Sequence, residues 1–211
     1  MNIRSIKNSI RWKIVLIYCI LVFIATTIVG VFLMSRMEEY YINSARTNMR
    51  KLVEESSLTA SVGAYDPFDE FAEEIQASID AWSPGFSQEI FVVDDTFYIV
   101  AASNASSGQS AVDFLDCNII LAALSGEEAE SHDSISSQTS DIPVFNMAFP
   151  IKNESGKVIG ALYLREDITS LEDSIDQSKS LFAKAMVLAV FVTFVLGFVI
   201  SKSITGPIND V

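Results

Sequence analysis

The chain has 211 residues, half of them hydrophobic, and a formal net charge of −13. Its mean hydropathy is nonetheless positive, so charge and apolar residues must be segregated. That balance excludes a nucleic-acid binder, which needs a basic surface, and the aromatic and β-branched content of the acidic part excludes disorder.

The segregation is readable directly. Residues 1–34 and 181–211 together carry +5, whereas residues 35–180 carry −18. Residues 1–13 form a basic start with Arg4, Lys7, Arg11 and Lys13. Ile14 to Met34 is a run without a charge. As a helix it rises about 31 Å, enough for a bilayer core. A cleaved signal has a shorter apolar region and a small-residue cleavage site, so an uncleaved anchor is expected. The second apolar run is Leu181 to Ile200, with Lys184 placed to snorkel. Lys202 follows it. The positive-inside rule predicts both termini in the cytoplasm and residues 35–180 outside a cell membrane. Thr26, Thr27 and Gly30, with Thr193 and Gly197, would permit close helix packing in a dimeric bundle, although small residues are common in membrane helices. Cys19 and Cys117 fall in different compartments and are not expected to pair.

From Met37 the chain stays helical, with Ile42, Ala45, Met49 and Leu52 at three- and four-residue steps. No break is expected before Leu58. Gly63, Asp66 and Pro67 interrupt it. Asp66 is expected to cap a second helix, with Pro67 at its first position and Phe68, Phe71, Ile75, Ile79 and Trp82 on one stripe. Ser83-Pro84-Gly85 ends that helix. Strands follow at Glu89–Asp94 and Phe97–Ala102, then a polar loop at Ser103–Ser110. Asp116 caps a short helix, Asn118–Ser125, stopped by Gly126. A weak strand, Glu127–Ser136, precedes strong strands at Ile142–Ile151 and Lys157–Arg165, joined by a turn with Gly156 at its left-handed position. A last helix from about Asp167 leads into the second apolar run. The runs Ile90–Val93 and Lys157–Leu164 are apolar on both faces, so both faces of an antiparallel sheet must be covered.

Chemistry-bearing motifs are scarce. His132 is the sole histidine, so no Ser/His/Asp or Cys/His constellation is expected within the chain, and too few ligands remain for zinc. Its expected place is a solvated strand. No metal site is expected. The acidic pairs, such as Glu73-Glu74 and Glu127-Glu128, read as a solvated face, with cation binding or pH sensing as the functional alternative. The cupped sheet face is the choice for a ligand pocket, with Tyr98, Phe145, Met147 and Tyr163 at compatible strand positions and Asp113 as a polar contact. The competing reading is that these residues are plain core.

Six stretches carry a family resemblance. Ser201-Lys202-Ser203-Ile204-Thr205-Gly206-Pro207-Ile208 resembles the entry to a HAMP linker, where Pro207 breaks the span and makes a joint. Ile10-Arg11-Trp12-Lys13-Ile14-Val15-Leu16-Ile17-Tyr18 resembles the opening of the sensor histidine kinases of the WalK, or cell-wall regulating, type. Ile90-Phe91-Val92-Val93-Asp94, Leu121-Ala122-Ala123-Leu124-Ser125-Gly126-Glu127 and Phe149-Pro150-Ile151-Lys152 with Gly156–Tyr163 are similar to that family's first sensor strand, helix-turn and final hairpin. The resemblance implies an α+β extracellular PAS-like, Cache-type sensor: a five-stranded antiparallel sheet with N-terminal helices, between two transmembrane α-helices. It implies domains at 14–34, 35–180 and 181–200, with a linker beginning at 201–211 in which Pro207 and Ile208 transmit the signal. It also implies a homodimer in the lipid bilayer, a response regulator reached through a kinase core, and an extracellular small ligand or membrane-protein partner. The family's phosphoacceptor box and ATP-binding boxes are not among these residues. ATP and magnesium are therefore implied only for a kinase domain, and this chain by itself is expected to be catalytically inactive. A chemotaxis-receptor fragment and a stand-alone two-span regulator of a sensor kinase are the alternatives.

Overall fold

The computed structural model describes residues 10–68, 70–104, 106–136 and 141–205. The chain divides into two compact units, Met1–Tyr40 with Asp173–Val211, and Tyr41–Glu172. Helix α1 is Ile10–Ser56 and the last helix, α5, is Thr169–Thr205. Both are long and apolar enough to cross a membrane by length and composition.

Within the first unit, the two helices approach closely at glycine. A Cβ on Gly30 would lie 2.1 Å from the Phe182 ring, and one on Gly197 would lie 3.4 Å from Val15. These two contacts, at opposite ends of the pair, set the helices antiparallel. Val15 is buried there, while Ile17, Leu21, Phe23, Val31, Phe191, Val195 and Phe198 are exposed. Such helices are apolar all round, a pattern that water does not stabilise. The close packing expected of Gly30 and Gly197 is thus made within one chain.

The second unit is built on a five-stranded antiparallel sheet of order β2-β1-β5-β4-β3. Its strands are β1 Glu89–Asp94, β2 Ile99–Ala102, β3 Ala129–Ser136, β4 Asp141–Lys152 and β5 Val158–Asp167. The central strands are apolar on both sides, and both faces are covered. One face packs on α1, α2 (Leu58–Gly63) and α3 (Ala72–Trp82), burying Met49, Leu58, Val62, Ile75, Ile79, Val92, Phe145, Met147 and Leu164. The other packs on α4 (Cys117–Leu124), burying Phe91, Ile99, Ile119, Ile120, Ala148, Ala161 and Tyr163.

Local chemistry sets most boundaries. Asp116 caps α4 as expected, its Oδ1 accepting from the Asn118 N–H at 2.9 Å. Asp167 caps α5, accepting from the Thr169 N–H at 2.8 Å. The Thr169 hydrogen bonds hold the Asp167 carboxyl below its ordinary value. In the β4–β5 turn, Gly156 is left-handed (φ 82°). Asn153 Oδ1 accepts there from the N–H of Ser155 and Lys157.

Three boundaries differ from expectation. The first helix breaks at Ser57, which is left-handed (φ 52°), just before Leu58. The next helix starts at Ala72, five residues after Pro67, with Phe71 as its cap and no side-chain cap hydrogen bond. Asp66 lies six residues before Ala72 and does not cap it; its Oδ2 instead accepts from Asn153 Nδ2 at 2.8 Å across the fold. The second strand is also shorter than expected, since Phe97 is left-handed (φ 64°) and Tyr98 makes only an isolated bridge to Ser110.

Helix α1 is tied to the edge strand β3 by two ion pairs. Arg46 binds Glu130 through both its Nε and Nη2, and Arg50 Nη2 lies 2.8 Å from Glu128. The Arg46 hydrogen bonds hold the Glu130 carboxyl below its ordinary value, against an opposing push from burial. A depressed folded pKa adds stability above the unfolded pKa, and that stability is lost as the pH falls through the folded value. Glu130→Gln is therefore expected to lower the melting temperature at pH 7. The gap to the parent should close on acidification below about pH 4.3, the ordinary Glu value. A gap that persists unchanged to pH 3 would contradict the pairing.

Candidate functional site

On the sheet face under α4, two alternate residues of β5 reach toward the segment before that helix. Tyr163 is fully buried, and its hydroxyl oxygen accepts from the Asp116 backbone N–H at 3.4 Å. Arg165 is 9% exposed and donates from Nη2 to the Phe114 carbonyl. Strand β5 thus grips the segment leading into α4 at two points, one through its C=O and one through its N–H. Burial pushes the Tyr163 hydroxyl pKa up, while the Asp116 hydrogen bond and the Arg165 charge work the other way. The Arg165 guanidinium lies 5.3 Å from the centre of the Phe91 ring and 5.9 Å from that of Tyr163. Its Nη1 is 3.5 Å from the Glu89 carboxylate.

The five residues chosen from sequence are not brought together. Tyr163 lies under α4, but Phe145 and Met147 lie on the opposite face, in the core against α1 to α3. All three are buried core residues. Tyr98 is 47% exposed, and Asp113 is exposed in the 3-10 turn Ala111–Asp113. The expectation that these side chains share one cupped face is therefore corrected. The cause is a register shift in the β4–β5 ladder between Ile151 and Lys152. An unshifted ladder continuing from the Lys152–Val158 pair would set Met147 opposite Tyr163. The shift moves the partner by one residue, so Met147 faces Leu164 and Ala148 faces Tyr163. A one-residue slip sends a side chain to the other face.

His132 is exposed on β3, its ring centre 4.8 Å from that of Phe145. Among the described residues, no group of three or more His, Cys, Asp or Glu could hold a metal ion. Pro207 and Ile208 lie outside the described residues. Arg165 was missed from sequence. The signal for it was a lone basic residue directly after the doubly apolar run that ends at Leu164.

Residues 74–165 match the family model described as the WalK sensor protein kinase Cache domain. The Staphylococcus haemolyticus sensor protein kinase WalK is 24% identical over 207 residues, covering 96% of this chain and 34% of that protein. The Bacillus subtilis sensor histidine kinase WalK is 25% identical over 218 residues, covering 100% of this chain and 35% of that one. The chain thus spans about a third of the length of these relatives. Among solved structures, it is similar to the sensory domain of the Campylobacter jejuni chemoreceptor Tlp3 with isoleucine bound (TM-score 0.51, 12% identity, 75% of this chain and 66% of that one). It is also similar to the ligand-binding domain of the Pseudomonas aeruginosa PAO1 amino acid chemoreceptor PctC in complex with GABA (TM-score 0.50, 13% identity, 70% and 62%). These structural likenesses show the fold alone. Residues 74–165 have the Cache fold of the WalK-type sensor kinases, and the chain as a whole resembles the N-terminal sensor region of those kinases.

Proposed function

We propose that this chain is the signal-input region of a two-component sensor histidine kinase in a bacterial cell membrane. The apolar parts of α1 and α5, residues 14–34 and 181–200, span the bilayer. The basic start lies in the cytoplasm, and residues 35–180 lie outside. Two copies form a homodimer. A HAMP linker entered at Ser201, with Pro207 and Ile208 at its joint, passes a helix shift to a kinase core. That core uses ATP and magnesium and phosphorylates a response regulator.

One observation carries the reading. Strand β5 grips the segment before α4 through Tyr163 and Arg165, and only Ile168 separates its end from α5. A stimulus that moves residues 111–116 therefore pulls on the strand that continues into the exit helix. A displacement of about 1–2 Å is the usual scale for such helix signals.

Topology gives the first test. In a background with Cys19 and Cys117 replaced by Ala, Tyr98→Cys is expected to react with a membrane-impermeant maleimide in intact cells. Lys13→Cys is expected to react only after permeabilisation. Both positions are exposed. The reverse pattern, or labelling of both in intact cells, would overturn the topology.

A further inference from the structure

Within the unit Tyr41–Glu172, among the described residues, large apolar side chains stand exposed at Tyr98, Val112, Phe114 and Leu121, each between 47% and 60% exposed. Single exposed apolar residues are ordinary, but these are confined to one stretch of the chain. Tyr98 bridges Ser110, and the Ala111 N–H donates to the Phe97 carbonyl at 2.8 Å. Tyr98 therefore lies beside the start of the 111–121 segment. Val112 and Phe114 flank Asp113, which is exposed at the end of the 3-10 turn. Helix α4 turns Ile119, Ile120 and Ala123 into the core, which leaves Leu121 on the side away from the sheet.

The surroundings are acidic without a counter-charge. Residues 52–151 contain eighteen Asp and Glu and no Lys or Arg. Asp95, Asp113 and Glu127, which border the apolar strip along the chain, are all exposed. Arg165 reaches this segment from β5, but it is buried and stands against Glu89. An exposed apolar strip of this kind marks an interaction surface, and its charge states the sign of the partner.

We infer that this surface docks a cationic amphipathic polypeptide segment. Its apolar side chains cover Val112, Phe114 and Leu121, and its Lys or Arg residues face Asp113, with Asp95 and Glu127 beside it. The apolar contacts supply affinity, and the charges supply selection and a salt-dependent encounter. A second copy of this chain would bring the same carboxylates against themselves, and an anionic lipid surface would meet the same repulsion. Phe114 and Asp116 are the residues whose main chain Arg165 and Tyr163 hold, so a segment docked here pulls on β5. The binding itself does not rest on the membrane topology or on the kinase assignment.

The test uses the full chain in nanodiscs of zwitterionic lipid, with 13C-labelled Val and Leu methyl groups read by NMR. The Val112 and Leu121 signals are identified by their loss in Val112→Thr and Leu121→Gln, exposed positions where folding is expected to be unchanged. A synthetic Leu/Lys peptide with amphipathic helical spacing is expected to shift both signals saturably. The same peptide with Glu in place of Lys is not, and oligolysine is expected to bind at least about ten-fold more weakly. Leu121→Gln, read at Val112, is expected to weaken the Leu/Lys peptide by about ten-fold, and Asp113→Asn to reduce its salt dependence. Several results would overturn the inference. They are no saturable shift with the Leu/Lys peptide, an equal response to the Glu peptide or to oligolysine, or an unchanged affinity in Leu121→Gln. A shift on raising the protein concentration alone would point to a second copy instead, and a shift on adding phosphatidylglycerol to the nanodisc without peptide would point to a lipid surface.

Discussion

Phe145→Ala is expected to destabilise the sheet domain by about 3–5 kcal/mol, and Tyr163→Ala by a similar amount. Both side chains are at most 1% exposed, one in each of the two cores. Truncation removes the transfer free energy of a ring and leaves a cavity that a sheet held on both faces cannot collapse. Total stability for a domain is only about 5–15 kcal/mol, so either change removes a large share of it. Tyr163→Phe separates packing from hydrogen bonding. It keeps the ring and removes the hydroxyl that interacts with the Asp116 N–H and the Arg165 side chain, for a loss of about 1 kcal/mol. Tyr98→Ala, at a half-exposed position, should stay within about 0.5 kcal/mol of the parent. Chemical unfolding of the full chain in micelles reads all four. Unchanged midpoints for Phe145→Ala and Tyr163→Ala would mean that these rings line a site rather than fill the cores.

Gly63→Ala is the second large effect, and it runs through the backbone. A Cβ on Gly63 would lie 2.2 Å from the Lys152 carbonyl oxygen and 3.5 Å from an Ile151 methyl. The obstacle is main chain and cannot rotate away. Overpacking of this kind costs about 1–3 kcal/mol, and this contact belongs at the upper end. The β4–β5 register shift falls at the same place, between Ile151 and Lys152, so the substitution presses on the feature that decides which face Tyr163 takes. Gly85→Ala is the control, because nothing lies within 4 Å of its Cβ position. The measurement is the unfolding midpoint of both variants. Equal midpoints would contradict the close approach of α2 to β4.

Much of the fold was legible because single residues or short runs decide it. Asp116 announces α4, Gly156 announces the last turn, and the doubly apolar runs at Ile90–Val93 and Lys157–Leu164 require a sheet covered on both sides. The misreadings are cases where a distant partner wins. Asp66 has the right chemistry for a cap, but Asn153, 87 residues away, takes its carboxylate. Ser57 breaks a helix with neither glycine nor proline to signal it. The ligand-face choice failed on parity for the strand residues, while Tyr98 and Asp113 are exposed outside both cores. Tyr, Phe and Met on neighbouring strands read as one surface until a shift of one residue in the ladder puts Tyr163 on one side and Phe145 and Met147 on the other. Arg165 was visible as a residue, but its role depends on Phe114 and Glu89, neither of which is near it in sequence.

The input role proposed for this chain is tested on the native product. The most direct measurement is to capture the native product from membranes with an antibody against residues 41–172, incubate it with ATP and magnesium, and assay acid-labile phosphate on histidine. ATP-dependent phosphohistidine is expected on a histidine other than His132, the only one in these 211 residues, which stays unmodified. A native product that carries no ATP-dependent phosphohistidine would contradict it.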